Sequence, residues 1–149
     1  MRRAGPVSCI VTGLDSGTMP TAHINDVEIF YEVTGDGEPL LLVMGINAQC
    51  IHWPPELIEL LVGAGFQVIT FDNRDVGLST DFGDLRAPSL GSLIARRLAG
   101  LSAPTPYSLS DMAADGFELL TSLGIDSAHI LGASMGGMIA QQMAIQEPE

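Results

Sequence analysis

The chain has 149 residues, 46% of them apolar and 16% charged, which is enough for the core of one domain and too little for two. With 17 Gly and 9 Pro dispersed rather than clustered, that apolar share excludes general disorder and collagen-like sequence. Against 18 acidic residues stand six Arg and no Lys, a net charge of -12 that repels phosphate backbones and anionic headgroups, so neither nucleic acid nor a membrane is an expected partner.

Residues 1–18 carry no apolar period and are rich in Gly, Ser and Thr. They read as a disordered leader drawn through residue 21, with a domain over 22–149. The leader lacks the apolar centre of a secretion signal, and no stretch of about 20 apolar residues exists to span a bilayer. Cys9 and Cys50 form no C-x-x-C pair, so neither a metal site nor a disulfide framework is indicated and a reduced cytoplasmic interior is the expectation.

From Ala22 to Val33 apolar side chains alternate at Ile24, Val27, Ile29, Tyr31 and Val33, the period of a strand with one buried face. Gly35-Asp36-Gly37 makes a turn. Pro39 to Met44, Phe66 to Phe71 and Ala128 to Leu131 are continuous apolar runs, as in strands covered on both faces of a parallel sheet. Between them the period becomes helical. Leu57, Leu60, Leu61 and Ala64 form a stripe after Pro54-Pro55, ended by Gly63 and Gly65.

A helix with Leu109, Met112, Ala113, Gly116, Phe117 and Leu120 inward opens on a Ser108/Asp111 capping box and stops at Gly124. Residues 80–107 form a long excursion in which Leu90, Leu93, Ile94, Arg97, Leu98 and Leu101 have helical spacing. A flap beside a pocket and a plain surface helix both fit that spacing; it reports only a buried face, which favours the plain helix. Strands alternating with helices at these lengths build a doubly wound, mostly parallel α/β sheet.

The chemistry concentrates at Gly132-Ala133-Ser134-Met135-Gly136, which follows the run Ala128 to Leu131 and opens a helix from about Met135 to Gln146. A strand-to-helix turn this tight strains its central residue and needs neighbours without side chains two positions away, which Gly132 and Gly136 supply. Ser134 is then presented at the carboxyl end of a strand, above the free amides of a helix N-terminus. Gly136, Ala140 and Ala144 form a small-residue stripe that would let the helix lie close to the sheet.

A Ser hydroxyl needs a base and amides to hold the oxyanion. The amide of Met135 is one candidate. The loop after Met44 offers the other, the amide of Ile46, with Gly45 permitting the backbone to turn inward. Asn47 is expected to fix that loop through its side chain. Asp72, beside Arg74 in a Gly-containing turn, is expected to fix its own loop by an ion pair and backbone hydrogen bonds.

With Met44-Gly45-Ile46-Asn47, Trp53-Pro54, Phe71 to Ser79 (F-D-N-R-D-V-G-L-S) and Gly132 to Gly137 in place, residues 22–149 resemble the amino-terminal half of a serine-nucleophile α/β-hydrolase. The M-G pair with D-N-R-D-x-G-x-S resembles the branch containing aclacinomycin methylesterase. The resemblance implies an α/β-hydrolase sheet with its later strands absent, Ser134 as nucleophile, Ile46 and Met135 as oxyanion donors, and no cofactor or metal.

It also implies that the triad acid and His follow on later strands, whereas Glu149 lies only 15 residues past Ser134. The expectation is a piece of a protein of roughly 250 to 300 residues. None of the His present substitutes: His129 lies on the same strand about 16 Å from Ser134, His23 precedes the first strand, and His52 sits at a helix entry beside Trp53. The implied activity is hydrolysis of a small carboxylic ester, its apolar group beside Ile46, Trp53 and Met135. Thioester, lactone, carbon-carbon and perhydrolase chemistry use nearly the same site. The alternative is a catalytically inert half domain needing a second polypeptide segment, with self-association through an exposed sheet edge.

Overall fold

The computed structural model describes residues 19–83, 90–101 and 106–147. The expected leader up to residue 18 lies outside them. Its boundary at 21 moves inward, because strand β1 (Thr21–Ile24) begins one residue earlier and the Pro20 carbonyl already accepts from the Tyr31 N–H at 3.1 Å.

The alternation of 22–33 is two strands rather than one. Asn25 and Asp26 take left-handed φ of 47° and 62°, making a two-residue hairpin between β1 and β2 (Val27–Thr34). The three-residue step from Ile24 to Val27 in an otherwise period-two run is its trace in the sequence. β3 (Glu38–Val43), β4 (Phe66–Phe71) and β5 (His129–Gly132) complete a sheet of order β1-β2-β4-β3-β5. β4 and β5 run parallel to β3 on either side, and β2 joins β4 antiparallel, so the hairpin makes the α/β sheet mixed.

β3 is central and covered on both faces. Leu41 and Val43 point, with Ile29, Ile69 and Phe71, toward α3 (Leu109–Ser122) and α4 (Met135–Gln146), meeting Met112, Leu119, Ile139 and Met143. Leu40, Leu42 and Met44 point the other way, with Val68, against Trp53 and α1 (Pro55–Gly63). Each such side chain contributes about 1.5–3 kcal/mol of burial. The expected capping box of α3 forms: the Asp111 N–H donates to Ser108 Oγ at 3.3 Å, and the Ser108 N–H donates to Asp111 Oδ2 at 2.7 Å.

Four packing expectations need correction. α1 packs half-buried Leu57, Ile58, Leu61 and Val62 against the sheet, leaving Leu60 at 72% exposure and Ala64 exposed. Its sequence is apolar around most of its circumference, so two stripes compete, and contact with Trp53 and Val68 selects this one. α2 (Leu90–Leu98) forms, but Ile94 and Leu98 on it, and Leu101 after it, are exposed rather than turned into a core. Of the small-residue stripe only Gly136 is buried: Ile139 and Met143 carry the packing of α4, and Ala144 faces solvent. β5 is an outer strand among the described residues, with Leu131 at 37% exposure, not a strand covered on both sides. No helix among the described residues is long and apolar enough to cross a membrane.

Candidate active site

β5 ends at Gly132 and α4 begins at Met135, so the chain reverses from strand to helix over two residues. Ser134 is forced to φ 55° and ψ -121°, a conformation that L-residues rarely adopt, and its side chain is exposed. The neighbouring glycines explain how so sharp a bend is tolerated. A β-carbon at Gly132 would run into the Gly136 carbonyl and sit 2.5 Å from Gly137 N, and one at Gly136 would run into the Val43 carbonyl. The bend is tied to the central strand, since the Ala133 N–H donates to Val43 O at 3.0 Å.

The loop leaving β3 meets Ser134 directly: a β-carbon at Gly45 would lie 3.0 Å from Ser134 Cβ and 3.5 Å from its Oγ. Next the chain folds into a turn closed by the Ala48 N–H donating to Gly45 O at 3.2 Å, with Asn47 left-handed at φ 54°. The expected side-chain fixation by Asn47 is replaced by this backbone role, which Asn tolerates better than most residues. The fold thus brings Ser134 and Gly45 together at the ends of two adjacent parallel strands, with Ile46 next in the chain. The N–H groups of Ile46 and Met135 donate to no other described residue.

Asp72 and Asn73 follow β4, and both are 2% exposed. Asp72 accepts from the Cys50 N–H through Oδ1 at 2.7 Å and from the Leu78 N–H through Oδ2 at 3.0 Å. Its backbone bonds match expectation, but its ion pair with Arg74 does not form. Arg74 instead makes a bidentate pair with buried Asp115 on α3, at 2.7 and 2.6 Å, with the rings of Tyr107 and Phe82 5.3 and 5.8 Å from its guanidinium carbon. Asp115 also accepts from Asn25 Nδ2 at 3.2 Å. Asn73, not singled out in the sequence, donates from Nδ2 to Met44 O at 3.1 Å.

The histidines stay apart from Ser134. His23 Nδ1 lies 2.9 Å from Glu28, His52 Nδ1 accepts from the Gln49 N–H at 3.0 Å, and His129 packs edge-on to Phe66 with Glu38 3.8 Å away. Trp53 is buried in the cluster of Leu40, Leu42, Met44 and Val68, against which Ala133, the residue before Ser134, also packs. It lines a cavity of about 290 Å³ with Thr34, Ile58 and Thr70. The Cys50 thiol, buried and close to the Asp72 carboxylate, is pushed up to about 12 and is inert at neutral pH. Among the described residues no group of His, Cys, Asp and Glu could hold a metal ion.

A family model described as alpha/beta hydrolase fold matches residues 38–149. Rhodomycin D methylesterase from Streptomyces peucetius is 34% identical over 137 residues, which cover 88% of this chain and 39% of the relative. A carboxylesterase structure from the thaumarchaeon Nitrososphaera gargenis superposes with a TM-score of 0.64 at 28% identity, over 87% of this chain and 41% of the other. A hydrolase from Pseudomonas aeruginosa gives 0.66 at 27%, over 90% and 43%. The chain spans about two-fifths of the length of the proteins it matches.

Proposed function

Because the chain belongs to the α/β-hydrolase family, in its aclacinomycin methylesterase-like branch, we propose that it carries the nucleophile and oxyanion amides of a carboxylic-ester hydrolase. Ser134 Oγ attacks the acyl carbon and gives its proton to a base. The carbonyl oxygen becomes an oxyanion between the N–H groups of Ile46 and Met135 and the dipole of α4. Collapse expels the alcohol, which takes up that proton, and water then cleaves the acyl-enzyme to the acid and free Ser134. The observation that carries this reading is the left-handed Ser134 at a strand-to-helix bend, its Cβ facing Gly45. Ester chemistry is favoured over neighbouring acyl transfers because the methylesterase and the carboxylesterase are named for it.

The base and its orienting acid come from residues outside this chain, in keeping with the length of the relatives. A second reading, an inert half domain completed by another polypeptide, is supported by the place of β5 at the edge of the sheet among the described residues, with Leu131 exposed, where a further strand would pair.

One experiment separates the two. Imidazole in solution can stand in for the missing base while a fluorophosphonate is presented: Oγ displaces fluoride at phosphorus and imidazole takes the proton. Mass spectrometry is expected to find the phosphonyl group on the peptide containing Ser134, only with imidazole, and nowhere in Ser134→Ala. Absence of label with imidazole would favour the inert half domain.

A further inference from the structure

Two buried side chains adjacent in sequence grip the Ile46 loop at both ends. At its start, Asn73 Nδ2 holds the carbonyl of Met44, the residue before Gly45-Ile46. At its end, Asp72 Oδ1 holds the N–H of Cys50. Between these fixed points the chain makes the Gly45–Ala48 turn, and at the entry into the 3-10 turn Cys50–His52 the Gln49 N–H donates to His52 Nδ1. Asp72 is itself braced from the far side, where Oδ2 takes the Leu78 N–H, and Gly77 is left-handed at φ 58° with no room for a β-carbon beside that carboxylate. The anchors leave from the end of β4, which pairs with β3 in register from Phe66 to Thr70 and is among the most buried strands.

We propose that Asp72 and Asn73 are positioning residues that set the place and direction of the Ile46 N–H relative to Ser134. The proposal rests on the reading of Ile46 as an oxyanion donor and deepens it. Neither side chain meets the reacting atoms. Each acts through the main chain of the loop, where a donor must sit within a few tenths of an ångström of where the oxyanion forms. Met44 and Cys50 being fixed removes the rigid-body freedom of the loop, and the turn at Asn47 supplies the remaining direction.

The test uses the 149-residue chain with imidazole and the fluorophosphonate, read as a maximal labelling rate, kinact, and a half-saturating concentration, KI. Asn73→Leu keeps the branched side-chain shape, at somewhat greater volume, and removes the donor. It is expected to lower kinact at least about tenfold, since loss of a whole oxyanion donor costs about a hundredfold or more, with KI unchanged. Asp72→Asn, which keeps an acceptor for Cys50 and loses the brace to Leu78, is expected to fall between Asn73→Leu and the parent. Amide exchange at Leu41 and Ile69 reports the sheet and stays at the parent value, while Ala48 loses protection. Should Asn73→Leu not fold, Asn73→Ser serves the same measurement. Labelling of the variants at the parent rate overturns the positioning role and leaves the nucleophile reading intact. Failure of the parent chain to be labelled overturns both.

Discussion

Replacing Gly136 with Ala puts a methyl group into the main chain of the central strand. The new β-carbon would overlap the Val43 carbonyl oxygen, lying 2.6 Å from its carbon and 2.8 Å from Met44 O. Ordinary contact requires about 3.5 Å, so α4 and the end of β3 must part by roughly 1 Å. Every atom met is backbone, so no side chain can rotate away, and the cost falls at the upper end of overpacking, about 3 kcal/mol. Better helix propensity offsets up to about 1 kcal/mol, leaving about 2–3 kcal/mol. With a urea slope of about 2 kcal/mol/M the midpoint falls by roughly 1–1.5 M. Gly63→Ala is the internal control: a β-carbon there meets nothing within 4 Å, and the midpoint rises slightly. Displacement of the Ser134 bend by the same ångström also suppresses fluorophosphonate labelling about a hundredfold. Urea unfolding of Gly136→Ala within about 0.5 kcal/mol of the parent would refute the close approach on which the site depends.

Two further outcomes follow from buried charges and thiols. Arg74→Leu leaves the Asp115 carboxylate, 2% exposed, without its cation and is expected to cost about 3–5 kcal/mol in urea unfolding. The double variant Arg74→Leu/Asp115→Leu loses less than Arg74→Leu alone; a loss equal to the sum of the two single changes would contradict the pairing. Burial, with Asp72 close by, raises the Cys50 thiol from 9.0 to about 12, and burial with a hydrogen bond to Asp75 raises the Tyr107 hydroxyl from 10.0 to about 12. Both groups keep their protons longer folded than unfolded. Their contribution is therefore complete below pH 9 and is lost as pH rises from 9 toward 12. Urea midpoints taken from pH 8 to 11 are expected to fall, and Cys50→Ala removes the part of the fall that begins at pH 9.

What the sequence disclosed was local, and what it concealed was long-range. Phe66–Phe71 and Met135–Gln146 were legible to the residue because an apolar run or helical stripe was bounded by turn residues on both sides. The runs Pro39 to Met44 and Ala128 to Leu131 were each displaced by one position, the usual uncertainty of a strand end. Ser134 could be picked out because two glycines in fixed relation to it are themselves the mark of a bend. The hairpin at Asn25-Asp26 left only one trace, the step from Ile24 to Val27, since alternation resumes on its far side. Partner choice was wholly hidden: Arg74 prefers a carboxylate 41 positions away to one two positions away, and Asn73 reaches a carbonyl 29 positions back. Such choices are decided by which strand ends lie side by side. Exposed Ile94 and Leu98 on α2 show the same limit, because amphipathic spacing declares an apolar face without saying what, if anything, it meets.

Successive carbonyls at the end of β3 serve the two parts of the candidate site. That of Val43 receives Ala133 and sets the approach of Gly136, while that of Met44 receives Asn73. The Ser134 bend and the start of the Ile46 loop are therefore both surveyed from a single datum, the best-buried stretch of main chain in the sheet. Splaying of the β1–β2 hairpin, which β4 separates from β3, leaves the spacing between them nearly constant.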